Sequence, residues 1–175
     1  VHEVAAGIAA EYFNEISDKN KKAIALVTAG PGLTNIVTAI SGAYLESRDL
    51  LIIGGQVKTD DLANGEVIQR GIQEIDGVSI VTPITSKALR IEKPIGFEKL
   101  KSILNIDIVE RKGPIFIEIP LDVQASKFKD GKASTKIKKQ RLNIATKTQV
   151  NQISTLLRKS KRPSIINISS INSHL

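Results

Sequence analysis

The apolar positions of this chain change period several times, and the changes mark alternating strands and helices. Residues 23–28 form a short, continuous apolar run, the pattern of a parallel strand covered on both faces, and predict a central strand. Leu33, Ile36, Val37, Ile40, Ala43 and Tyr44 then recur at helical spacing, with Thr34 and Asn35 in the first turn of the predicted helix. Upstream, Val1, Val4, Ala5, Ile8, Tyr12 and Ile16 share one helical stripe over residues 1–17, leaving Glu11, Asn14 and Glu15 as the more exposed positions. Further strands are predicted over 50–55, 88–91 and 114–119, with a helix over 94–111. The alternation predicts an α/β fold: a doubly wound, mostly parallel sheet with helices on both faces.

A second pattern follows. Val150, Ile153, Leu156 and Leu157 fall at helical spacing within 148–161, and Pro163 precedes an apolar run over 164–168. The expected organisation is one domain over 1–125, a linker over 126–147, and the beginning of a second α/β domain over 148–175.

The net charge of +7 on 175 residues would suggest nucleic acid if it were spread over the fold. It is confined to the linker. Residues 126–147 hold eight lysines and arginines against Asp130 alone, which leaves the rest of the chain neutral. The segment lacks a helical apolar stripe and has few aromatics for base stacking, so it reads as a solvated connection, with no nucleic-acid partner expected. With no cysteine and two histidines far apart, His2 and His174, neither disulfides nor a transition-metal site is expected. No apolar run approaches the ~20 residues of a membrane span, and a cytoplasmic protein is the expectation.

The candidate chemistry gathers at the first strand–helix junction. Gly30 and Gly32 allow a sharp turn and a close backbone approach, and Pro31 between them has its φ preset. Such a turn suits a dinucleotide fingerprint, a phosphate cradle or a tight βα connection. The first fits poorly, because Asn35 replaces the third glycine. The second fits worse, because no Lys-Ser or Lys-Thr follows. Glu3, at the amino end of the preceding helix, has Gly7 and Ala10 one and two turns along its face, so another body could approach that helix closely.

His2-Glu3-Val4-Ala5-Ala6, Thr28 through Asn35, Gly55-Gln56-Val57, Gly71-Ile72-Gln73-Glu74, and Gly113-Pro114-Ile115 through Ile119-Pro120-Leu121-Asp122 together resemble the pyrimidine-binding domain of thiamine diphosphate enzymes. The similarity is greatest to the acetolactate synthase group and covers residues 1 to about 125. The resemblance implies that Glu3, in a largely apolar pocket with a raised pKa, shares a proton with N1′ of the cofactor's aminopyrimidine and so promotes loss of the thiazolium C2 proton. It implies cofactor contacts from Pro31, Gly32 and Asn35.

Pyruvate decarboxylase-like members carry adjacent histidines in the loop corresponding to 58–74. This chain has none there, and Ile72 stands where the acetolactate synthases have an aromatic residue. Gln73 is therefore the candidate substrate contact and second catalytic position, with Lys87 a further substrate candidate. The implied activity is decarboxylation and carboligation of 2-oxo acids. The alternatives are a simple 2-oxo acid decarboxylase or lyase, and a non-catalytic interaction module of the same fold. A buried Glu3 facing the Gly30 turn across an open cleft would favour the enzyme, and a solvent-directed Glu3 the module.

No Gly-Asp-Gly motif with a downstream Asn occurs, so the diphosphate and its Mg²⁺ are expected on a domain outside this chain, while FAD is possible. The family's first strand and helix are expected before His2. The chain reads as an excerpt of a larger enzyme, inactive alone. The family's active sites lie between subunits, implying a homodimer or homotetramer, with the small-residue face of the first helix serving the interface.

Overall fold

The computed structural model describes residues 2–17, 21–104, 112–127 and 146–161. Val1, the end of the helix predicted over 94–111, most of the predicted linker and the run at 164–168 lie outside the described residues.

Helix α1 (Glu3–Ile16) leads into strand β1 (Ile24–Val27), helix α2 (Pro31–Leu45) and strand β2 (Leu51–Gln56). Then come the short helix α3 (Gly77–Val81), strand β3 (Lys87–Arg90), helix α4 (Phe97–Leu104), strand β4 (Ile115–Pro120) and the single turn α5 (Leu121–Gln124). The strands form one parallel sheet in the order β1-β2-β4-β3. Two apolar clusters cover its faces. Ile36, Ile40, Ala43, Leu50, Ile52, Val81 and Phe116 pack with α2 and α3 on one side. Ile91, Ile115 and Ile117 pack with Leu100 and Ile103 of α4 and Val123 of α5 on the other. This is the doubly wound arrangement that the alternation predicts.

Three local expectations are corrected. Among the described residues, strand β1 stands at the sheet edge, not in its centre: Ala25 and Val27 are buried, whereas Ile24 and Leu26 are 48% and 72% exposed. Helix α4 begins at Phe97 rather than at residue 94, because Lys99 and Leu100 donate back to the Gly96 carbonyl.

The third correction concerns α1, which turns a different side inward. Gly7, Ala10 and Glu11 are buried, while Ile8, Tyr12 and Ile16 are 41%, 52% and 82% exposed. Glu11 can be inside because Arg48 Nη1 donates to its Oε1 at 3.0 Å and stacks over the Tyr12 ring. Asn14, on the same side, donates to the Ala23 and Asp49 carbonyls and accepts from the Ala23 N–H, fastening α1 to the start of β1. Gly7 and Ala10, the buried small residues of α1, thus pack toward α2 of the same chain.

Farther along, helix α6 (Lys147–Lys159) opens with a reciprocal capping box between Thr146 and Gln149. It matches the helix predicted over 148–161, and its Val150, Ile153 and Leu156 are exposed.

Candidate functional site

A parallel sheet with short βα connections delivers the amino ends of its helices to the carboxyl edge of its strands, where such folds bind ligands. Both α1 and α2 begin there. His2 caps α1, its Nδ1 accepting from the Val4 N–H at 3.3 Å, and Glu3 occupies the first turn. Asn35 lies in the second turn of α2, and its Nδ2 donates to Glu3 Oε2 at 3.1 Å, joining the two helices by these side chains. Both residues are half-buried.

The backbone N–H of Glu3 itself, and then the Asn35 amide, hold the Glu3 carboxyl below its ordinary range; partial burial opposes them and His2 adds to the lowering. This corrects the raised pKa expected for Glu3. The described residues supply a hydrogen-bond donor and a helix amino terminus, both of which favour the anion, but not the apolar cover that would favour the acid. Asn35 engages Oε2, and among the described residues no side chain donates to Oε1.

Gly30 caps α2 at φ +62, and its carbonyl accepts from the Thr34 N–H at 3.0 Å. A Cβ at Gly30 would stand 2.4 Å from the Gln73 carbonyl oxygen. Gly30 is therefore required twice, for its left-handed backbone and for the space that Gln73 fills. Pro31 follows as the first residue of α2, exposed at the edge, and Gly32 is buried against Thr28.

Gln73 itself adopts φ +61, uncommon for a residue with a side chain, and is exposed. Its neighbour Glu74 holds the loop in that shape by accepting from the backbone N–H groups of Ala63, Arg70 and Gly71 at 2.5, 2.8 and 3.2 Å. Burial pushes the Glu74 carboxyl up, but these three donors outweigh it and hold the group below its ordinary range. A cleft of about 710 Å³ opens beside the loop, lined by Thr28, Ala29, Gly55, Gln56 and Gln73. Glu3, Pro31 and Asn35 do not line it. Glu3 meets Asn35 directly rather than facing the turn across the cleft.

Glu3 and Asn35 thus pair at two helix amino ends, beside the Gly-Pro-Gly turn. The model of the family described as thiamine pyrophosphate enzyme, N-terminal TPP binding domain, matches residues 1–80. The chain is 32% identical over 171 residues to a probable acetolactate synthase large subunit of Methanocaldococcus jannaschii, a match covering 94% of this chain and 28% of that protein. It is 32% identical over 180 residues to the acetolactate synthase large subunit of Lactococcus lactis, covering 98% and 29%. It is 29% identical over 166 residues to the isozyme 1 large subunit of Escherichia coli, covering 93% and 28%.

This chain carries a thiamine pyrophosphate enzyme N-terminal domain of acetolactate synthase type. It spans between a quarter and a third of the length of these relatives.

Within this thiamine pyrophosphate domain, Glu3 and Asn35 meet directly, while Gly30 and Gln73 meet through the backbone. Lys87 is not brought to them. It opens β3 at the amino edge of the sheet, and its Nζ donates to the Ile103 carbonyl in the last turn of α4 at 2.8 Å.

Sequence reasoning missed the groups that hold the domain's loop in place. Gln56 Nε2, at the end of β2, donates to the Ile75 carbonyl at 2.8 Å. Asp122 receives the N–H and hydroxyl of Thr59 at 3.0 and 2.6 Å, and those contacts hold its carboxyl low. Glu118, 2% exposed in β4, receives Arg90 Nε. One signal was available: an acid inside the apolar run 115–120 needs a buried cation, and Arg90 is its register partner on β3.

Proposed function

We propose that this domain holds the aminopyrimidine of thiamine diphosphate in an enzyme that decarboxylates 2-oxo acids and ligates the product to a second carbonyl compound. The observation that carries the reading is the Glu3–Asn35 pair at 3.1 Å, beside the Gly30 turn at the carboxyl edge of a parallel sheet. Its donor set fits the ring. Oε1 of Glu3 can present or accept a proton at a ring nitrogen, Asn35 fixes the carboxyl plane through Oε2, and Pro31 offers a flat apolar contact. The cofactor, when bound, supplies the electron sink for decarboxylation.

Glu3 must then carry a proton that the described residues alone do not favour. Apolar cover from another body would raise its pKa by desolvation. Ile8, Tyr12, Phe13 and Ile16 on the outer side of α1 offer a surface for that body, which we take to be a second copy of the chain in a homodimer or homotetramer. Gln73 contributes an amide that can orient a carbonyl acceptor and is not itself an acid or base near pH 7. The cofactor's diphosphate and Mg²⁺ fall to another domain in this reading, and the protein works in the cytoplasm.

The test is Glu3→Gln in the full-length protein. It should fold and still accept the Asn35 amide, yet slow C2-proton exchange of bound thiamine diphosphate by roughly 10²–10⁴-fold, the contribution of a positioned acid–base group. Exchange near the wild-type rate would end the assignment.

A further inference from the structure

Glu3 and Asn35 do not meet by side-chain reach alone, because the helices that carry them touch one turn farther in. Gly7 is four residues after Glu3 and Ala39 four residues after Asn35, so each lies directly below a member of the pair on the same helix face. There α1 and α2 approach so closely that a Cβ added at Gly7 would stand 2.6 Å from Ala39 Cβ, with Ile36 Cγ1 at 3.1 Å. Gly7 is buried, and Ile36 and Ala39 are 0% and 2% exposed, so no space exists to take up an extra methyl group.

We propose that Gly7 and Ala39 form a spacer that sets the distance between α1 and α2 and thereby positions the Glu3–Asn35 pair. The spacer admits one methyl group, not two. Moved to α1, the methyl group no longer meets Ala39 and keeps only the contacts with Ile36 Cγ1 and Cδ1 at 3.1 and 3.3 Å, which a shift of a few tenths of an ångström in that side chain relieves. Gly7→Ala should therefore push the amino end of α1 away from α2 and draw Glu3 off the Asn35 amide. Removing the opposing methyl group with Ala39→Gly should let the helices close again. Gly7 and Ala39 are positioning residues, and what the pair does rests on the cofactor reading proposed above, whereas its geometry does not.

The experiment is a carboxyl titration of this chain, without cofactor, by ¹³C NMR of labelled glutamate side chains. Because the Asn35 amide contributes to the low pKa of Glu3, Gly7→Ala should move the Glu3 midpoint upward. The double variant Gly7→Ala/Ala39→Gly should return it to the wild-type position, with the Asn35 side-chain N–H resonances moving out and back in step. Should Gly7→Ala fail to fold, a folded double variant with a wild-type Glu3 titration supports the spacer equally. An unmoved Glu3 in Gly7→Ala, a double variant that does not restore it, or a double variant that also fails to fold overturns the proposal. In the full-length enzyme with thiamine diphosphate and Mg²⁺, C2-proton exchange should fall in Gly7→Ala and recover in the double variant. If the titration behaves as expected and exchange is indifferent to both, the spacer stands and the cofactor reading fails.

Discussion

Arg90 and Glu118 are register partners across the parallel β3–β4 ladder, and Arg90 Nε donates to a carboxylate that is 2% exposed. Arg90 also reaches Asp76, the N-cap of α3, at 3.5 Å, so a single guanidinium ties the sheet to the segment that follows the Gln73 loop.

Removing one member of this pair strands a buried charge. Arg90→Met should destabilise the chain by roughly 3–5 kcal/mol, while Arg90→Met/Glu118→Leu should recover most of that loss. Burial raises the Glu118 pKa and Arg90 opposes the rise. For an acid with a raised folded pKa, stability is full below the unfolded value and is lost as pH rises through the folded one. The penalty of Arg90→Met should therefore grow as pH increases through that range. Urea unfolding at several pH values measures both effects, and a pH-independent penalty would contradict this account.

Glu74 has the opposite sign. Its folded pKa is lowered, so its contribution is present above the ordinary carboxylate value of 4.5 and is lost as pH falls through the folded value. Glu74→Gln should loosen the loop at neutral pH by about 1–3 kcal/mol, because an amide cannot satisfy three N–H donors as a carboxylate does. Hydrogen exchange at the Ala63, Arg70 and Gly71 amides should accelerate in that variant, and in the wild type only under acid conditions beyond the general trend.

Two glycines with positive φ separate strain from crowding. A Cβ added at Gly65, where φ is +80, would meet nothing within 4 Å, whereas one added at Gly30 would meet Gln73. Gly65→Ala should cost about 1 kcal/mol, the penalty of a left-handed backbone alone. Gly30→Ala should cost more and also displace the Gln73 resonances. Equal thermal shifts for the two variants would show that the Gly30–Gln73 contact carries no energy.

Gln73 separates ligation from simple decarboxylation on the proposed function. Supplied with a 2-oxo acid, the full-length enzyme should release a ligated hydroxyketone rather than a free aldehyde, as judged by NMR of the products. Gln73→Gly suits the left-handed backbone, so it should leave the fold intact while removing the amide. Its expected signature is a raised KM for the acceptor with a larger share of aldehyde. Aldehyde as the main wild-type product would move the reading to a simple decarboxylase.

Much of this domain was determined by the sequence alone. The short apolar runs over 23–28, 50–55 and 114–119 each became a strand, the Gly-Pro-Gly turn sits between a strand and a helix, and these preferences are local to the chain. Hence the parallel sheet, the Gly30 turn and the place of Asn35 were legible. What only the tertiary structure decided is which side of each element found a partner. The inward stripe of α1 runs through Glu3, Gly7, Ala10, Glu11 and Asn14, polar and small residues that no hydrophobic period reveals, and it faces inward because α2 lies within methyl-contact distance and Arg48 neutralises Glu11. Strand β1 became an edge for the same reason, since an apolar run records a strand's character but not its number of neighbours. The low pKa of Glu3 likewise depends on Asn35, thirty-two residues away in the chain and brought to it only by the packing of two helices.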